Sequence, residues 1–345
     1  MIEEAISKVV ERIDLSEEEM EGVMAEMMEA RATPSQVAAI LVALRMKGET
    51  IAEIVGAARV MREKCVKLAP SDPRAVDLCG TGGDRLDTFN VSTVASFIVA
   101  GAGVSVAKHG NRSVSSRVGS ADVLEELGVN LELSPEQAER CLNEVGIVFL
   151  YAPLYHPSMK NVATPRREIG IRTIFNVLGP MTNPAGVKHQ VMGVYSGVLL
   201  EPIAKALRSL GSERAMVVHG DDGTDEITVT SKTSVAELKE GIVKCYTIEP
   251  EEFGLRRSRL EELQGGDARR NAQITLSILR GEEDGAKRDI ALINAAAAIA
   301  VSGKASDLRE GLEMAVEAVD SGRALAKLNE LVKFSREAGG VGADE

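Results

Sequence analysis

The feature that most constrains the fold of this chain is a pair of polar, glycine-rich loops, each lying between a short apolar run and a helix-like run. The first reads Asp77-Leu-Cys-Gly-Thr-Gly-Gly-Asp84, and the second reads Lys108-His-Gly-Asn-Arg-Ser-Val-Ser-Ser116. In α/β proteins, loops in this position bind phosphorylated ligands, because free backbone N–H groups and the helix dipole point at the anion. The two loops therefore predict a binding site for a polyphosphate.

Downstream of Pro73 the sequence alternates between strand-like and helix-like runs. This alternation predicts βαβ units and an α/β fold with a mostly parallel central sheet flanked by helices. The predicted strands are 76–78, 104–107, 147–150, 191–195 and 215–218. The predicted helices are 91–102, 121–127, 135–145 and 200–210, followed by a return to helix over 273–338.

The N-terminal part differs from the rest, because residues 2–66 carry only helical periodicity. Ser16 and Thr33 are good starting points for two of its helices, the second with proline in its first turn. We predict a small helical domain over residues 1–70. A large α/β domain over residues 73–345 is predicted to bind the phosphorylated ligand.

The composition excludes several classes of function. The apolar fraction of 44% and the charged fraction of 27% are those of an ordinary globular protein, and no apolar run is long enough to cross a bilayer. A net charge of −12 and the absence of tryptophan disfavour binding to nucleic acid. The N-terminus lacks the pattern of a signal peptide, and the four cysteines form no Cys-x-x-Cys pair. We therefore expect reduced thiols, a cytoplasmic location and small-molecule partners, with no zinc, nucleic acid or membrane.

The first loop and the start of the next helix offer hydrogen-bond donors to a phosphorylated ligand. The glycines of Gly80-Thr-Gly-Gly-Asp84 let backbone N–H groups turn toward a ligand and allow it to approach closely. Asn90-Val-Ser-Thr93 opens the following helix, so its hydroxyl and N–H groups face the same space. Two alternatives remain open: a tight strand-to-helix turn without a ligand, and simple N-capping by Asn90 or Ser92.

The second loop follows a buried-looking strand and concentrates positive charge. Lys108 and Arg112 could neutralise phosphates, and no acid lies between residues 108 and 120. Three hydroxyl groups could add hydrogen bonds: Ser113, Ser115 and Ser116. The alternative is a solvated polar loop. Two roles remain open for His109: a general acid or base, and a residue that serves packing or hydrogen bonding.

Two further motifs carry charge. Asp221-Asp-Gly-Thr-Asp-Glu226 places four carboxylates in six residues, which suits a cation such as Mg²⁺, although an exposed acidic turn is the alternative. The run Arg166-Arg-Glu-Ile-Gly-Ile-Arg172 could bind a carboxylate, or it could be a solvated helical face. The choice between Arg166 and Arg167 stays open, because the two project in different directions on a helix.

The full set of motifs resembles the anthranilate phosphoribosyltransferase family. The matching stretches follow the family order and spacing: GTGGD (80–84), NVST (90–93), KHGNRSVSS (108–116), GSADVLEELG (119–128), HPSMKNVATPRREIGIRTIFNVLGPMTNPAG (156–186) and the DE pair at 225–226. The resemblance implies a small helical domain, completed by helices within residues 156–186, joined to a larger α/β domain. It also implies a homodimer formed through the helical part.

The implied reaction joins anthranilate to 5-phosphoribosyl 1-pyrophosphate and requires Mg²⁺. Its products are N-(5-phosphoribosyl)-anthranilate and pyrophosphate, in tryptophan biosynthesis. The resemblance assigns the donor contacts to Gly80, Gly83, Asp84, Thr88, Asn90, Val91, Ser92, Thr93, Lys108, His109, Gly110, Asn111, Arg112, Ser113, Val114, Ser115, Ser116 and Ser120. It assigns anthranilate to Gly80, Asn111 and Arg166, magnesium to Ser92, Asp225 and Glu226, and catalysis to Lys108, Asn111 and Arg166. Val118 and Asn161 stand where serine and histidine are expected, and neither is a proposed ligand.

The residue types suit this chemistry. Displacing pyrophosphate from C1 of ribose builds positive charge on the sugar and negative charge on the leaving group, which cations and N–H groups stabilise. The amine of anthranilate is a neutral nucleophile, so no strong general base is required. Two alternatives share the fold: a pyrimidine nucleoside phosphorylase, and a nucleic-acid-binding relative. The His-Gly-Asn between Lys108 and Arg112, together with Arg166, disfavours the first, and the net charge of −12 disfavours the second.

Overall fold

The computed structural model describes residues 1–83, 86–112 and 118–340. Five of the predicted donor contacts lie outside these ranges: Asp84, Ser113, Val114, Ser115 and Ser116. Within the described ranges, no helix combines the length and the apolar character needed to cross a bilayer.

A seven-stranded mixed sheet forms the centre of the molecule. Its strands are β1 (Val76–Gly80), β2 (Val106–Gly110), β3 (Ile147–Tyr151), β4 (His189–Gly193), β5 (Arg214–Gly220), β6 (Thr233–Lys239) and β7 (Ile242–Ile248). Their order is β3-β2-β1-β4-β5-β6-β7, with the first five parallel to their neighbours and the last two antiparallel. The predicted fold, a mostly parallel sheet flanked by helices, is confirmed. All five predicted strands are present, with ends shifted by a few residues.

The antiparallel hairpin of β6 and β7 is absent from the predicted strands. Its turn consists of Glu240 and Gly241, with φ of +53° and +75°. Such left-handed pairs join antiparallel strands because they match the right-handed twist of the sheet. The side chains of β7 are largely exposed, so this edge strand lacks the apolar run by which the inner parallel strands are recognised.

Helices cover both faces of the sheet and make up the N-terminal part. They are α1 (Ile2–Val10), α2 (Glu17–Met28), α3 (Pro34–Lys47), α4 (Ile51–Lys64), α5 (Val91–Gly101), α6 (Ser120–Glu126), α7 (Pro135–Val145), α8 (Ala152–Tyr155), α9 (Lys160–Ile169), α10 (Phe175–Met181), α11 (Leu200–Ser209), α12 (Ala268–Leu279), α13 (Ala286–Val301), α14 (Leu308–Asp320) and α15 (Arg323–Ala338). Ser16 and Thr33 begin α2 and α3 through capping boxes, as predicted.

Alternate residues of the central strands enter two separate hydrophobic cores, because the side chains of a strand point to opposite faces of the sheet. In β5, Met216 and Val218 enter one core with α5 and α13. Ala215 and Val217 enter the other core, which the sheet shares with α1 to α4. Helices α9 and α10 pack against α2, α3 and α4. The chain therefore returns to the N-terminal helices between β3 and β4.

The strand order creates a topological switch point at the carboxyl ends of β1 and β4. From β1 the chain builds β2 and β3 on one side, and it then crosses to β4 on the other side of β1. Ligands of open α/β sheets bind in the crevice outside such a point. Gly80 ends β1 and Gly193 ends β4, so the first predicted loop begins at this crevice.

Candidate active site

The acidic turn packs directly onto the switch point. The N–H of Gly82 donates to Oδ2 of Asp225 at 2.7 Å. A Cβ atom at Gly80 would lie 2.3 Å from this carboxylate oxygen, and one at Gly193 would lie 1.5 Å from the backbone oxygen of Asp225. Only glycine allows this approach at either position. No local sequence pattern singles out Gly193, because its close neighbour is more than thirty positions away along the chain.

A second carboxylate of the same turn has a structural role. Asp222 accepts hydrogen bonds from the hydroxyls of Thr224 at 2.8 Å and Thr228 at 2.5 Å, and from that of Thr230. Burial acts to raise the pKa of Asp222, but these hydrogen bonds outweigh it and hold the pKa below its ordinary value. Hydroxyl donors therefore stabilise this charge, and it needs no cation of its own.

Lys108 lies in the interior between the two loops. Its Nζ donates to the backbone oxygen of Leu78 and, at 3.1 Å, to Oγ of Ser92. Burial lowers its pKa, while the charges of Asp77 and Glu226 act in the opposite direction. The buried ammonium thus brings together β1, the start of α5 and the acidic turn.

Asp77 anchors the base of the same network. It is fully buried, and burial raises its pKa to about 6 against the charge of Lys108. Its carboxylate accepts hydrogen bonds from Nδ2 of Asn183 at 2.8 Å and from the N–H of His109 at 3.2 Å. The same Asn183 amide donates to the backbone oxygen of Ala107 at 2.8 Å. Asn183 thereby connects the chain segment after α10 to β1 and β2.

Two buried histidines meet beside this network. The rings of His109 and His156 have centroids 5.1 Å apart, and neither Nε2 has a hydrogen-bond partner among the described residues. Burial, together with the neighbouring ring of His156, lowers the pKa of His109 to about 3, and burial lowers that of His156 to about 4. Both rings are neutral near pH 7. The His109 side chain therefore lies against His156, and only its backbone belongs to β2.

Helix α9 carries a guanidinium without an acid partner. Arg166 stacks over the ring of Phe175, with its Cζ atom 4.6 Å from the ring centroid. Burial lowers its pKa to about 10, so it stays charged near pH 7. Within the described ranges the guanidinium of Arg166 makes no hydrogen bond or ion pair, whereas the side chain of Arg167 is exposed. The structure thus separates the two arginines that the sequence leaves equivalent.

Arg172 connects this helical segment to the first loop. Its Nη1 donates to the backbone oxygen of Gly83 at 3.1 Å, and its guanidinium stacks over the ring of Tyr195 at 4.4 Å. The N–H of Tyr195 in turn donates to Oγ1 of Thr81 at 3.0 Å. Arg172 is absent from the predicted site residues, because the loop it touches is distant along the chain.

The described part of the second loop is held by its own neighbours. A Cβ atom at Gly110 would lie 2.5 Å from Oγ of Ser120 and 2.6 Å from the ring of Phe149. The backbone oxygen of Asn111 accepts hydrogen bonds from the hydroxyl of Ser120 and the N–H of Ala121, both at 3.3 Å. Three predicted donor contacts, Gly110, Asn111 and Ser120, therefore lie together at the end of β2.

Arg112 forms ion pairs with the next helix. Its Nη1 lies 2.9 Å from Asp122 and 2.5 Å from Glu125, and its guanidinium lies 5.8 Å from the ring of Tyr151. The carboxylates raise its pKa above the ordinary value. The side chain is exposed, and α6 supplies the acids that the loop itself lacks. A phosphate bound here would have to compete with these two carboxylates.

The start of α5 is fixed by a distant amide. Oδ1 of Asn90 accepts a hydrogen bond from Nδ2 of Asn271 at 2.9 Å, and Asn90 makes no side-chain cap for the helix. Thr88 forms an isolated bridge with Gln264. The alternative of N-capping by the Asn90 side chain is therefore wrong, and the first turn of α12 holds this residue instead.

Two predicted donor contacts have side chains in the interior. Val91 and Thr93 are each 1% exposed. The hydroxyl of Thr93 has no hydrogen-bond partner among the described residues and lies beside a small internal cavity that Lys108 also lines. A ligand at the surface would meet these two residues only through their backbone.

The donor atoms for a metal ion are few. Among the described residues, no group of three or more His, Cys, Asp and Glu side chains is arranged to hold a metal ion. Asp225 lies at the first loop, while Ser92 and Glu226 both lie near the ammonium of Lys108. Two carboxylates and one hydroxyl would be too few oxygen ligands to enclose Mg²⁺, so an ion held by them would have to be shared with a phosphorylated substrate.

Comparison with known families agrees with the two-part architecture. Residues 3–65 match the helical bundle domain of a glycosyl transferase family, and residues 72–325 match its a/b domain. The fold and the phosphate-type loops thus define a glycosyl transferase with a helical bundle and an α/β part.

Individual relatives are more specific. Anthranilate phosphoribosyltransferase of Pelotomaculum thermopropionicum is 56% identical over 335 residues, which cover 97% of this chain and 97% of that protein. The crystal structure of the Thermus thermophilus enzyme has a TM-score of 0.92 at 43% identity, covering 96% of this chain and 99% of that one. The Saccharomyces cerevisiae enzyme in complex with PRPP and Mg has a TM-score of 0.89 at 27% identity, covering 97% of this chain and 98% of that one. The chain belongs to the anthranilate phosphoribosyltransferase family.

Proposed function

We propose that this chain transfers the 5-phosphoribosyl group from 5-phosphoribosyl 1-pyrophosphate to the amine of anthranilate, giving N-(5-phosphoribosyl)-anthranilate and pyrophosphate in tryptophan biosynthesis. One observation carries the proposal. At the switch point, the glycine loop after β1 meets the buried ammonium of Lys108 and the acidic turn, and the segment that touches this loop carries the unpaired guanidinium of Arg166.

The donor would lie along the carboxyl ends of β1 and β2. Backbone N–H groups of the two loops would bind its phosphates, and Lys108 would face the leaving pyrophosphate. The burial of Lys108 supports this role, because a charge in the interior interacts more strongly with an anion than an exposed charge does. The predicted contacts outside the described residues, Asp84 and the four from Ser113 to Ser116, stay predictions from the family motifs.

Arg166 would bind the carboxylate of anthranilate. A guanidinium can form two parallel hydrogen bonds with a carboxylate. Arg166 supports this role because it is held over an aromatic ring and has no acid partner within the described ranges. The exposure of Arg167 disfavours it for the same task. Gly80 and Asn111 are the other proposed contacts of the acceptor.

Mg²⁺ is the proposed cofactor, with Ser92, Asp225 and Glu226 as its proposed ligands. Their hydroxyl and carboxylate oxygens are the hard ligands that this ion prefers. When bound, the ion would offset the negative charge of the pyrophosphate. A relative whose structure includes the donor and Mg supports this choice.

The residues of the chain would act mainly by position and charge. Anthranilate's amine is already a nucleophile, so the chain has to hold it in line with C1 of the ribose. Such positioning can lower a barrier by about 7–11 kcal/mol at best. Lys108 and the loop N–H groups would stabilise charge on the departing pyrophosphate. Neutral His109 and His156 are consistent with a reaction that requires no strong general base.

The division into domains and the quaternary structure are also proposals. The packing of α9 and α10 on α2, α3 and α4 supports a helical domain formed by residues 1–70 and helices from within 156–186, beside an α/β domain formed by the rest. A homodimer is supported by apolar side chains that α1 and α3 expose, Val10 at 62% and Met46 at 72%. The free thiols of the four cysteines favour action in the cytoplasm.

The decisive experiment is a fluorescence assay of the purified, folded protein. With anthranilate, the donor and Mg²⁺ present, we expect the fluorescence of anthranilate to fall as product forms and pyrophosphate to appear in equal amount. Pyrimidine nucleosides with phosphate serve as the matched alternative substrates, and salt-dependent binding of duplex DNA tests the nucleic-acid alternative. A flat trace with anthranilate would contradict the proposal.

A further inference from the structure

We propose that Arg172 is a positioning residue that couples the two substrate sites, so that binding of the donor strengthens binding of the acceptor and the reverse. This inference rests on the proposed function, and it concerns a residue to which the family resemblance assigns no role. The one segment 166–175 carries two arginine–aromatic stacks. Arg166 stacks on Phe175 at 4.6 Å and leaves its guanidinium unpaired, while Arg172 stacks on Tyr195 at 4.4 Å and donates to the first loop.

The backbone around Arg172 is fixed at both ends. Gly170 ends α9 with a left-handed φ of +60°, and the N–H of Thr173 donates to Oδ1 of Asn176 at 2.9 Å, which starts α10. Only a short bend separates the two helices. A shift of α9 that follows engagement of Arg166 therefore moves Arg172 as well.

The far end of the contact lies at two consecutive glycines of the first loop. Gly82 and Gly83 have φ of +64° and +79°, and consecutive glycines leave such a conformation easily because they lack side chains. The hydrogen bond from Arg172 to the backbone oxygen of Gly83 restrains this backbone from outside the loop. A loop that is ordered before the donor binds loses less entropy on binding.

Tyr195, the residue on whose ring the Arg172 guanidinium stacks, is itself hydrogen-bonded to the first loop. The N–H of Tyr195 donates to Thr81, and the N–H of Thr81 donates to the backbone oxygen of Gly193 at 2.9 Å. Tyr195 is half-buried, and this burial raises the pKa of its hydroxyl. Arg172 thus touches the first loop directly through Gly83 and indirectly through Tyr195 and Thr81.

Coupling between two sites is reciprocal: the factor by which the donor strengthens acceptor binding equals the factor by which the acceptor strengthens donor binding. If Arg172 transmits the coupling, its removal must bring this shared factor close to unity. A residue that only stabilises the fold would lower both affinities or the melting temperature without changing that ratio.

The test measures both affinities by calorimetry, with benzoate as an unreactive stand-in for anthranilate. The dissociation constant of the donor with Mg²⁺ is measured with and without benzoate, and that of benzoate with and without the donor. In the unaltered protein we expect each ligand to tighten the other by at least about 5-fold. In Arg172→Ala we expect this factor to fall to within about 2-fold of unity, with benzoate binding alone unchanged. Arg172→Lys, which keeps one donor but loses the planar stack, should retain part of the coupling.

The matched control is Arg309→Ala. Arg309 stacks over the ring of Phe253 at 5.6 Å, far from the switch point in the chain, and its loss should leave the coupling unchanged. Melting curves show whether each variant is folded, and Arg172→Lys carries the test if Arg172→Ala is not. Coupling of undiminished size in folded Arg172→Ala, or in Arg172→Lys where only that variant folds, would overturn the inference, as would an absence of coupling in the unaltered protein while both ligands bind. Failure of the unaltered protein to bind either ligand would instead contradict the proposed function.

Discussion

The donor side and the acceptor side of the proposed site differ in how their buried polar groups are satisfied. On the donor side, at the ends of β1, β2 and β4, Lys108 and Asp77 make hydrogen bonds to strands, helix and loop. On the acceptor side, formed by segment 166–175 and the two histidines, the guanidinium of Arg166 and the Nε2 atoms of both rings have no partner among the described residues. The buried charges of the donor side are thus paired, although the hydroxyl of Thr93 there has no partner among the described residues, whereas the acceptor side leaves a charged guanidinium for a ligand.

This difference has a physical reason. A polyphosphate is bound by many N–H groups and cations at once, and their positions must be set in advance because each displacement weakens several contacts. A planar aromatic acid requires one well-placed cation and an apolar surface. We therefore expect changes on the donor side to affect folding and catalysis together, and changes on the acceptor side to affect one substrate.

The largest effect is expected from Gly193→Ala. The added methyl group would overlap the backbone oxygen of Asp225 at 1.5 Å, and backbone cannot move aside as a side chain can. Because a misplacement of about 1 Å can cost about 100-fold in rate, we expect kcat/KM to fall by at least that factor, together with a lower melting temperature. Gly285→Ala is the control, since its nearest neighbour is the end of a flexible side chain at 3.2 Å. Normal activity in Gly193→Ala would mean that the acidic turn does not need its present position.

The next effect concerns the proposed metal ligands on the same side. Asp225→Asn combined with Glu226→Gln removes two negative charges at the loop while keeping the side-chain size. We expect the Mg²⁺ concentration for half-maximal activity to rise by about 10- to 100-fold, with a lower kcat. Asp222→Asn is an informative comparison, because its hydroxyl partners predict a loss of stability with little change in the metal titration. An unchanged Mg²⁺ titration in the double variant would count against these two ligands.

On the acceptor side, Arg166→Ala should act on one substrate. Hydrogen bonds between charged groups contribute about 1.5–3 kcal/mol, so we expect KM for anthranilate to rise at least about 10-fold while KM for the donor changes little. Arg167→Ala, on the exposed neighbour, should change neither constant appreciably. Steady-state kinetics with each substrate varied in turn provides the measurement. Equal increases in both KM values would refute the separation of the two sides.

The smallest effect is a difference in pH dependence. The folded-state pKa values of His109 and His156, about 3 and about 4, lie below the ordinary 6.5. Their contribution to stability is therefore present above pH 6.5 and is lost as the pH falls toward those values. Asp77 acts in the opposite sense, because its pKa is raised from 3.8 to about 6. The contribution of Asp77 to stability is fully present below pH 3.8 and is lost as the pH rises through about 6.

Between about pH 4, the folded-state pKa of His156, and about pH 6, that of Asp77, the two chain states bind different numbers of protons. The unfolded chain binds two protons at the histidines, and the folded chain binds one at Asp77. The three groups together should lower the free energy of unfolding by about 1.4 kcal/mol per pH unit as the solution is acidified. His156→Gln should flatten this slope and Asp77→Asn should steepen it, as measured by urea unfolding at several pH values. If the two substitutions change the dependence of the unfolding free energy on pH in the same direction, the donor side and the acceptor side do not differ in their response to protons.

Much of the fold follows from local patterns. The alternation after Pro73 predicted the parallel strands, and the capping residues Ser16 and Thr33 predicted the starts of α2 and α3, because these signals depend on residues within a turn or two. The β6–β7 hairpin escaped prediction because its edge strand is exposed and its turn pair, Glu240-Gly241, lacks the usual Asn or Asp.

The candidate site likewise has parts that local patterns predict and parts that depend on tertiary contacts. The two loops, the acidic turn and the arginine-rich segment are visible as motifs. The separation of Arg166 from Arg167 required the position of Phe175 and the helix surface, and the ion pairs of Arg112 required α6.

By itself, the sequence determined the α/β class, the caps and the phosphate-type loops, since strand alternation, helix capping and glycine's freedom are properties of neighbouring residues. Only the tertiary structure decided that Gly193 must lack a side chain, that Asn183 holds Asp77, and that Arg172 reaches the backbone of Gly83. These contacts join residues that are far apart along the chain, and their existence depends on strand order and helix packing, which no local pattern specifies.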